Sequence, residues 1–351
     1  MIRLWLGTTA VVAAALLAAP GAGAQDPDEQ TQDHEEQDRR YYEQRMKQQE
    51  EQPASDSTPE QRAAQFLARA EELVKDKNYW GRNSELYRVE TDDPDIDTQA
   101  VLELLDSFRG FFDAFWEPRL PLSPYDAQSR VFMYDSFYKY NQLLPFDARR
   151  KLVRPEGHYI SAYNVLALNT RAGAPAALAD LMVHEAAHQL IDQRIYGGSG
   201  RGSRWVNEGL AWYFGYTSRT KAGEFEPGHT GGKSISPWKN APPASDSEIG
   251  QRLKSLRSSL KTAEAGWLDD VLSADATQFY GVDIHLNYAK AWLVVHYLLH
   301  AENGRYAEAF AKYIEGEAGG RVGAEALYQA LGVGAADFEI AIAAYAGKVK
   351  T

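Results

Sequence analysis

The strongest constraint on the fold and chemistry of this chain is an H-E-x-x-H pentapeptide at residues 184–188, inside an apolar run. On a helix, residues four apart lie about one turn apart on the same face, so His184 and His188 can bind one metal ion. Two imidazoles at this spacing suit Zn²⁺, and Glu185 lies beside the first of them. The pentapeptide therefore offers two ligands and one general base.

The surrounding residues favour a helix. No Gly or Pro interrupts residues 176–195, and Pro175 precedes them. Proline is well tolerated in the first turn, which predicts a helix that begins near Pro175. The pentapeptide alone leaves a second interpretation open, namely a core helix with two hydrogen-bonded histidines, because so short a pattern also arises by chance.

A third candidate ligand, Glu208, follows His188 with 19 residues between them. A catalytic zinc site needs a third protein ligand and an open position for water, and a carboxylate returned by a second helix meets the first need. The Gly-rich stretch 196–203 predicts a flexible turn between the two helices. Asn207 is the predicted N-cap of the second helix, which puts Glu208 in its first turn.

The two motifs together resemble the gluzincin metallopeptidases, in which H-E-x-x-H is followed by W-x-N-E-G-x-A, here at residues 205–211. The details are most similar to bacterial domains of the DUF1570 type. The resemblance implies a zincin-like fold and a Zn²⁺ ion held by His184, His188 and Glu208. It also implies that Glu185 is the general base of a peptidase.

Further roles come only from this resemblance. Tyr288, in a Y-x-K-A segment similar to the Y-x-K-G of aminopeptidase-like gluzincins, is expected to stabilise the oxyanion of the reaction. Asn207 is expected to orient a ligand histidine. Asp180 is a weaker candidate for the same role, from its position one turn before His184 rather than from the resemblance. One strand within 157–168 is expected to bind the substrate backbone. The G-x-M-E-N segment that recognises a free amino terminus is not visible, so aminopeptidase activity is not predicted.

The first residues indicate export. Arg3 is followed by a 16-residue apolar run and an A-x-A-like site, which predicts a signal peptide over residues 1–24. The alternative, a membrane anchor, needs roughly 20 residues, and no later segment is apolar enough to span. Cysteine is absent from the chain, so lipid anchoring at a cysteine is excluded and a metal site must use His and carboxylates. We expect a secreted, most simply periplasmic, protein with no stable membrane span after cleavage.

The net charge of −12 argues against a nucleic-acid partner. Residues 25–61 carry 12 acidic and four basic side chains, which accounts for −8 of that total, and no basic stripe is present elsewhere. Residues 25–60 hold few apolar side chains and are predicted to be a linker, either disordered or a solvated helix.

The remaining pattern predicts an α+β domain over residues 61–350. Strands are expected within 85–91, 130–134 and 157–168, and helices over 61–75, 97–116 and 135–143. Residues 61–195 would form a subdomain with a small mixed sheet and the active-site helix. Residues 196–350 would form a mostly helical subdomain, with a connector at 266–280 and a loop at 220–247 that is either a lid or a surface excursion.

The sequence thus favours a zinc-dependent hydrolase that cleaves a peptide or protein substrate. The alternative is a non-catalytic periplasmic zinc-binding or interaction protein on the same scaffold. The presence of Glu185 speaks against that alternative, because metal binding alone does not require a base.

Overall fold

A mixed sheet of five strands forms the first half of the described chain. The computed structural model describes residues 58–75, 79–144, 156–171, 175–220, 223–228 and 248–349. The strands are β1 (Trp80–Asn83), β2 (Tyr87–Thr91), β3 (Ser129–Tyr134), β4 (Gly157–Ile160) and β5 (Val165–Asn169). Their order is β1-β2-β3-β5-β4; the three central strands are parallel, and β1 and β4 run antiparallel to their neighbours.

Helices cover both faces of this sheet, which explains why β3 and β5 read as nearly continuous apolar runs. Alternate side chains of β3 enter two separate cores. Val131 and Met133 lie in one core, and Phe132 and Tyr134 lie in the other. Helices α1 (Pro59–Val74) and α3 (Phe137–Asn141) cover the second of these faces. Helix α2 (Thr98–Trp116) covers the first, and Asp97 caps its N-terminus.

The active-site helix predicted from the pentapeptide is α4 (Pro175–Leu190), which begins at Pro175 and ends in a π-helical turn, Ile191–Ile195. It packs on the first face of the sheet and against α5 (Arg204–Gly215). Two short strands follow α5, β6 (Ser218–Arg219) and β7 (Phe225–Glu226).

The rest of the described chain is helical. It comprises α6 (Glu248–Ser259), α7 (Trp267–Leu272), α8 (Ala276–Phe279), α9 (Ile284–His300), α10 (Ala307–Ala318), α11 (Ala324–Leu331) and α12 (Ala335–Ala346). Helix α9 is the centre of this part because it packs against α5, α6, α7, α10 and α12. Among the described residues no single helix is long and apolar enough to span a membrane; the one pair that meets the criterion together, α11 and α12, is bent by 86°.

The expected α+β class, with a mixed sheet before a helical C-terminal part, is confirmed. The predicted connector at 266–280 is wrong, because it contains α7 and α8. These helices have six and four residues, too few for a periodic apolar pattern to reveal them. Strand β1 was not predicted, since all four of its residues are exposed and no alternation appears. The signal peptide, nearly all of the linker at 25–60 and most of the loop at 220–247 lie outside the described residues.

Gly209 permits the close approach of α5 to α9. A Cβ at this position would lie 2.7 Å from the carbonyl oxygen of Ala291 and 2.8 Å from Val295 Cγ2. Distances under 3.0 Å to backbone cannot be relieved by a side-chain rotation. The glycine that follows Glu208 in the second motif therefore has a packing role.

We predict that Gly209→Ala destabilises the protein by roughly 1–3 kcal/mol, because the methyl group overpacks the α5–α9 contact. Gly110→Ala is the matched control, since Gly110 also lies in a helix but a Cβ there meets nothing within 4 Å. That change should be neutral or stabilising by up to about 1 kcal/mol. Urea unfolding of both variants measures the difference, and equal stabilities would contradict the packing role.

Candidate metal centre

Helices α4 and α5 bring His184, His188 and Glu208 to one point. The two Nε2 atoms lie 3.1 Å apart, and Glu208 Oε2 lies 3.5 Å from His188 Nε2 and 3.8 Å from His184 Nε2. Ligands bound to one Zn²⁺ at about 2.0–2.1 Å with tetrahedral angles would lie about 3.3 Å apart. The three separations bracket this value, so the donor atoms fit a single zinc ion. Within the described ranges, this is the one His/Asp/Glu group close enough to hold a metal.

The charges of these side chains are set by burial and by one another. Burial, with a contribution from His188, lowers the pKa of His184 to about 3. Burial alone would raise the pKa of Glu208, but the facing histidines, His188 foremost, lower it to about 2. For His188, burial is outweighed by Glu208, which raises its pKa. At neutral pH the site thus presents a neutral His184 and an ionised Glu208, and acid competes with a metal at His188.

Asn207 fixes the orientation of His188, because its Oδ1 is hydrogen-bonded to His188 Nδ1. Since an amide oxygen can only accept, Nδ1 carries the proton and the Nε2 lone pair faces the metal position. The prediction that Asn207 is the N-cap of the second helix is wrong. Helix α5 begins at Arg204, and Ser203 is the N-cap. The helix thus starts one turn earlier, and the backbone N–H of its N-cap, Ser203, is satisfied by Glu317, which is buried at 1% exposure, at 3.2 Å.

Tyr280 is a site residue that the sequence did not reveal. Its hydroxyl donates a 2.6 Å hydrogen bond to Glu208 Oε1, the oxygen that points away from the histidines. Oε2 is the oxygen that faces both imidazoles. Tyr280 thus holds the carboxylate in the orientation of a one-oxygen ligand. Tyr280 ends α8, 72 positions from Glu208 along the chain, and no local motif links the two residues.

Glu185 points from α4 to the edge strand β4. Its Oε2 accepts the backbone N–H of Tyr159 at 2.8 Å, so one edge of β4 meets this carboxylate rather than β5. Gly157 makes the approach possible, because a Cβ there would lie 2.9 Å from Glu185 Cγ. Glu185 follows the metal-facing His184 directly, and its side chain is 6% exposed.

Tyr288 lies in the second turn of α9, on the same side of the molecule as the three candidate ligands. Its ring is 5.5 Å from Trp212, whose ring is in turn 4.5 Å from His184. Burial and then the charges of Glu208 and Glu185 raise the pKa of the Tyr288 phenol. The phenol is therefore neutral at physiological pH and is available as a hydrogen-bond donor.

Asp180, the weaker candidate for orienting a ligand histidine, is paired with an arginine. It accepts a 2.9 Å hydrogen bond from Arg219 of β6, with which it forms an ion pair. The contact ties α4 to the strand that follows α5. Asp180 thus contributes to the packing beside the site through its ion pair with Arg219.

The loop between α4 and α5 is held by two buried carboxylates. Asp192, in the π-helical turn, accepts the Gly200 backbone N–H at 3.0 Å and the Tyr159 hydroxyl at 3.0 Å. Glu317 accepts the Tyr196 hydroxyl at 2.7 Å. The predicted flexible turn is therefore fixed at both ends, which sets the relative position of the two ligand-bearing helices.

We predict that Tyr280→Phe weakens zinc affinity about 10- to 100-fold without unfolding the protein, because Glu208 loses the hydrogen bond that orients it. Competition with a chromogenic chelator measures this affinity. Tyr328→Phe is the matched control, since Tyr328 likewise donates to a carboxylate, Asp269, away from the site. Equal zinc affinities for the two variants would show that Tyr280 does not position the ligand.

A known family model matches part of the chain. The model of a family described as "Protein of unknown function (DUF1570)" matches residues 179–318. This range contains His184, His188, Glu208, Glu185 and Tyr288. No curated protein matches the chain. The match supports the assignment of residues 179–318 to a DUF1570-type domain.

Proposed function

We propose that this protein is a zinc-dependent hydrolase with a zincin-like fold, a peptidase of the gluzincin kind. One observation carries the proposal. Three donor atoms from two helices converge within 4.8 Å of one another, and the charge of Glu185, the residue after His184, contributes to the raised pKa of His188. The donor set, two imidazoles and one carboxylate, is that of catalytic zinc sites, which keep a fourth position open. Secretion remains part of the proposal, based on the N-terminal pattern.

Zinc is the metal that these residues fit best. Imidazole nitrogen and carboxylate oxygen are both common zinc ligands, and the absence of thiolates favours a reactive rather than a purely structural site. Bound at His184, His188 and Glu208, Zn²⁺ would supply Lewis acidity and lower the pKa of water towards 7. Side chains of the protein itself would transfer the proton and stabilise the oxyanion.

Glu185 is proposed to move the proton. Its carboxylate would accept a proton from the attacking water and pass it to the leaving amine. The 2.8 Å hydrogen bond from the Tyr159 N–H to Oε2 restrains this side chain. Holding the base in position would increase the reaction rate, because less conformational entropy is lost on reaching the transition state.

Tyr288 is proposed to donate a hydrogen bond to the carbonyl oxygen as charge develops on it. Tyr280 is less suited to this role, because its hydroxyl is already bonded to Glu208 Oε1. No hydrogen bond to the Tyr288 hydroxyl is made by the residues that the structure describes. Its raised pKa keeps the proton on the phenol, as a donor requires.

The edge strand β4 is the proposed docking element for an extended peptide. It lies at one end of the sheet order, antiparallel to β5. The Tyr159 N–H on the outer edge of β4 is bonded to Glu185, so a peptide added at this edge would lie beside the proposed proton carrier and would pair with other backbone groups of β4. A peptide placed there would present its carbonyls next to Glu185.

We predict that Glu185→Gln retains zinc and loses turnover by roughly 10²- to 10⁴-fold, because the amide cannot accept the proton. The assay uses zinc-loaded protein and a mixed set of quenched fluorescent peptides with varied sequence. Glu308→Gln, an exposed position on α10, is the matched control and should cleave at the wild-type rate.

Two results would contradict the peptidase proposal. One is a Glu185→Gln variant that cleaves as fast as wild type. The other is wild-type protein with one zinc per chain that cleaves no peptide, which would favour the non-catalytic zinc-binding interpretation.

A further inference from the structure

We propose that Trp212 is a positioning residue of the metal centre, and that its indole ring holds the imidazole of His184 in the orientation that binds the metal. The inference rests on the proposed zinc site and adds a residue that lies one position beyond the second motif. It is carried by the ring contacts that Trp212 makes with a candidate ligand and with its other neighbours.

Helix α5 brings Trp212 to the same side of the helix as Glu208. The two residues are four apart and therefore lie on one face, one turn from each other. Gly215 allows α5 to approach α4 closely at this point, because a Cβ there would lie only 3.2 Å from His184 Cβ. The helix that supplies the third ligand thus also carries an aromatic ring to the first ligand.

The two candidate histidine ligands are oriented in different ways. His188 Nδ1 is hydrogen-bonded to Asn207 Oδ1, which fixes its ring. For His184 Nδ1 the described residues supply no side-chain partner, and the Ala211 backbone contributes least of the groups that shift the pKa of His184. The χ2 torsion of histidine has broad minima, so this imidazole needs packing to keep Nε2 directed to the metal position.

Two rings confine the imidazole of His184. The Trp212 ring lies 4.5 Å from it, centre to centre, at an interplanar angle of 57°. The ring of His188 is the second neighbour, at 4.6 Å and 89°. Both separations are those of favourable aromatic pairs. At such distances the imidazole cannot turn about χ2 without meeting the indole, so Trp212 limits the rotation that would move Nε2 away from the metal position.

Trp212 is itself held by several elements. The ring of Tyr216, which follows α5, stacks on it at 4.9 Å and 23°. The Tyr288 ring of α9 lies 5.5 Å away, and Cζ of Arg252 on α6 lies 4.5 Å from the centre of the indole. The buried indole N–H makes no hydrogen bond to the residues that the structure describes, so the contacts of the ring set its position.

The alternative is that Trp212 only fills space between α5 and its neighbours. A residue of that kind affects the stability of the metal-free protein, and the folded protein would bind metal as before. A positioning residue also changes the affinity and the coordination geometry at the metal. Co²⁺ bound in place of zinc separates the two roles, because its visible absorption depends on coordination geometry.

We predict that Trp212→Leu weakens zinc affinity about tenfold and changes the Co²⁺ absorption spectrum, because leucine is apolar but has no planar ring to restrain His184. Trp212→Phe keeps a ring face, so it should bind zinc within about threefold of wild type and give the wild-type spectrum. Competition with a chromogenic chelator measures the affinity, and urea unfolding of the zinc-free protein measures stability separately.

Trp267→Leu is the matched control. Trp267 is also largely buried, at 8% exposure, and its ring lies 5.5 Å from Nζ of Lys290 on α9. The variant should lose stability and keep both the zinc affinity and the Co²⁺ spectrum of wild type.

Wild-type affinity and spectrum in Trp212→Leu would overturn the positioning role, as would equal losses of affinity in Trp212→Leu and Trp267→Leu. If Trp212→Leu does not fold, Trp212→Met takes its place with the same two outcomes, because methionine also fills space without a planar ring. If wild type binds neither zinc nor Co²⁺, the proposed function fails and the positioning role falls with it. Normal zinc binding by wild type and by every variant overturns this inference alone.

Discussion

The burial of two imidazoles and a carboxylate between α4 and α5 is the constraint on which the site depends. Polar groups in such an interface are stable only when they are paired, and here they face one another across 3.1–3.8 Å. The arrangement also fixes their charges, with Glu208 ionised and His184 neutral. Both are the protonation states that a metal ligand needs.

The surrounding structure fixes the position of α4 relative to α5. Gly209 lets α5 approach α9 closely, while Asp192 and Glu317 hold the loop that joins the two ligand-bearing helices. Tyr280 then orients Glu208, and Asn207 orients His188. These residues lie on α5, in the π-helical turn, at the end of α8 and on α10, so the geometry of the three donor atoms depends on packing between several elements.

Local spacing was sufficient to find the residues whose roles depend on helical periodicity. His184 and His188 are four apart on one helix, and Glu208 lies in a motif with its own signature. Residues that reach the site through tertiary packing could not be found this way. Tyr280, for example, lies 72 positions from Glu208 and belongs to no local motif that points to it. The same limit applies to Glu317, which accepts the N–H of the α5 N-cap from more than 100 positions later in the chain.

The most direct test of this account is the zinc content of the purified protein lacking residues 1–24, measured by mass spectrometry beside Glu208→Ala. The account predicts about one zinc per wild-type chain, lost or far weaker in the variant because one of three ligands is removed. Asp269→Ala, at an exposed carboxylate of α7 that is bonded to Tyr328 and is not one of the three candidate ligands, should keep its zinc. A wild-type protein that neither contains nor takes up zinc would contradict the central claim.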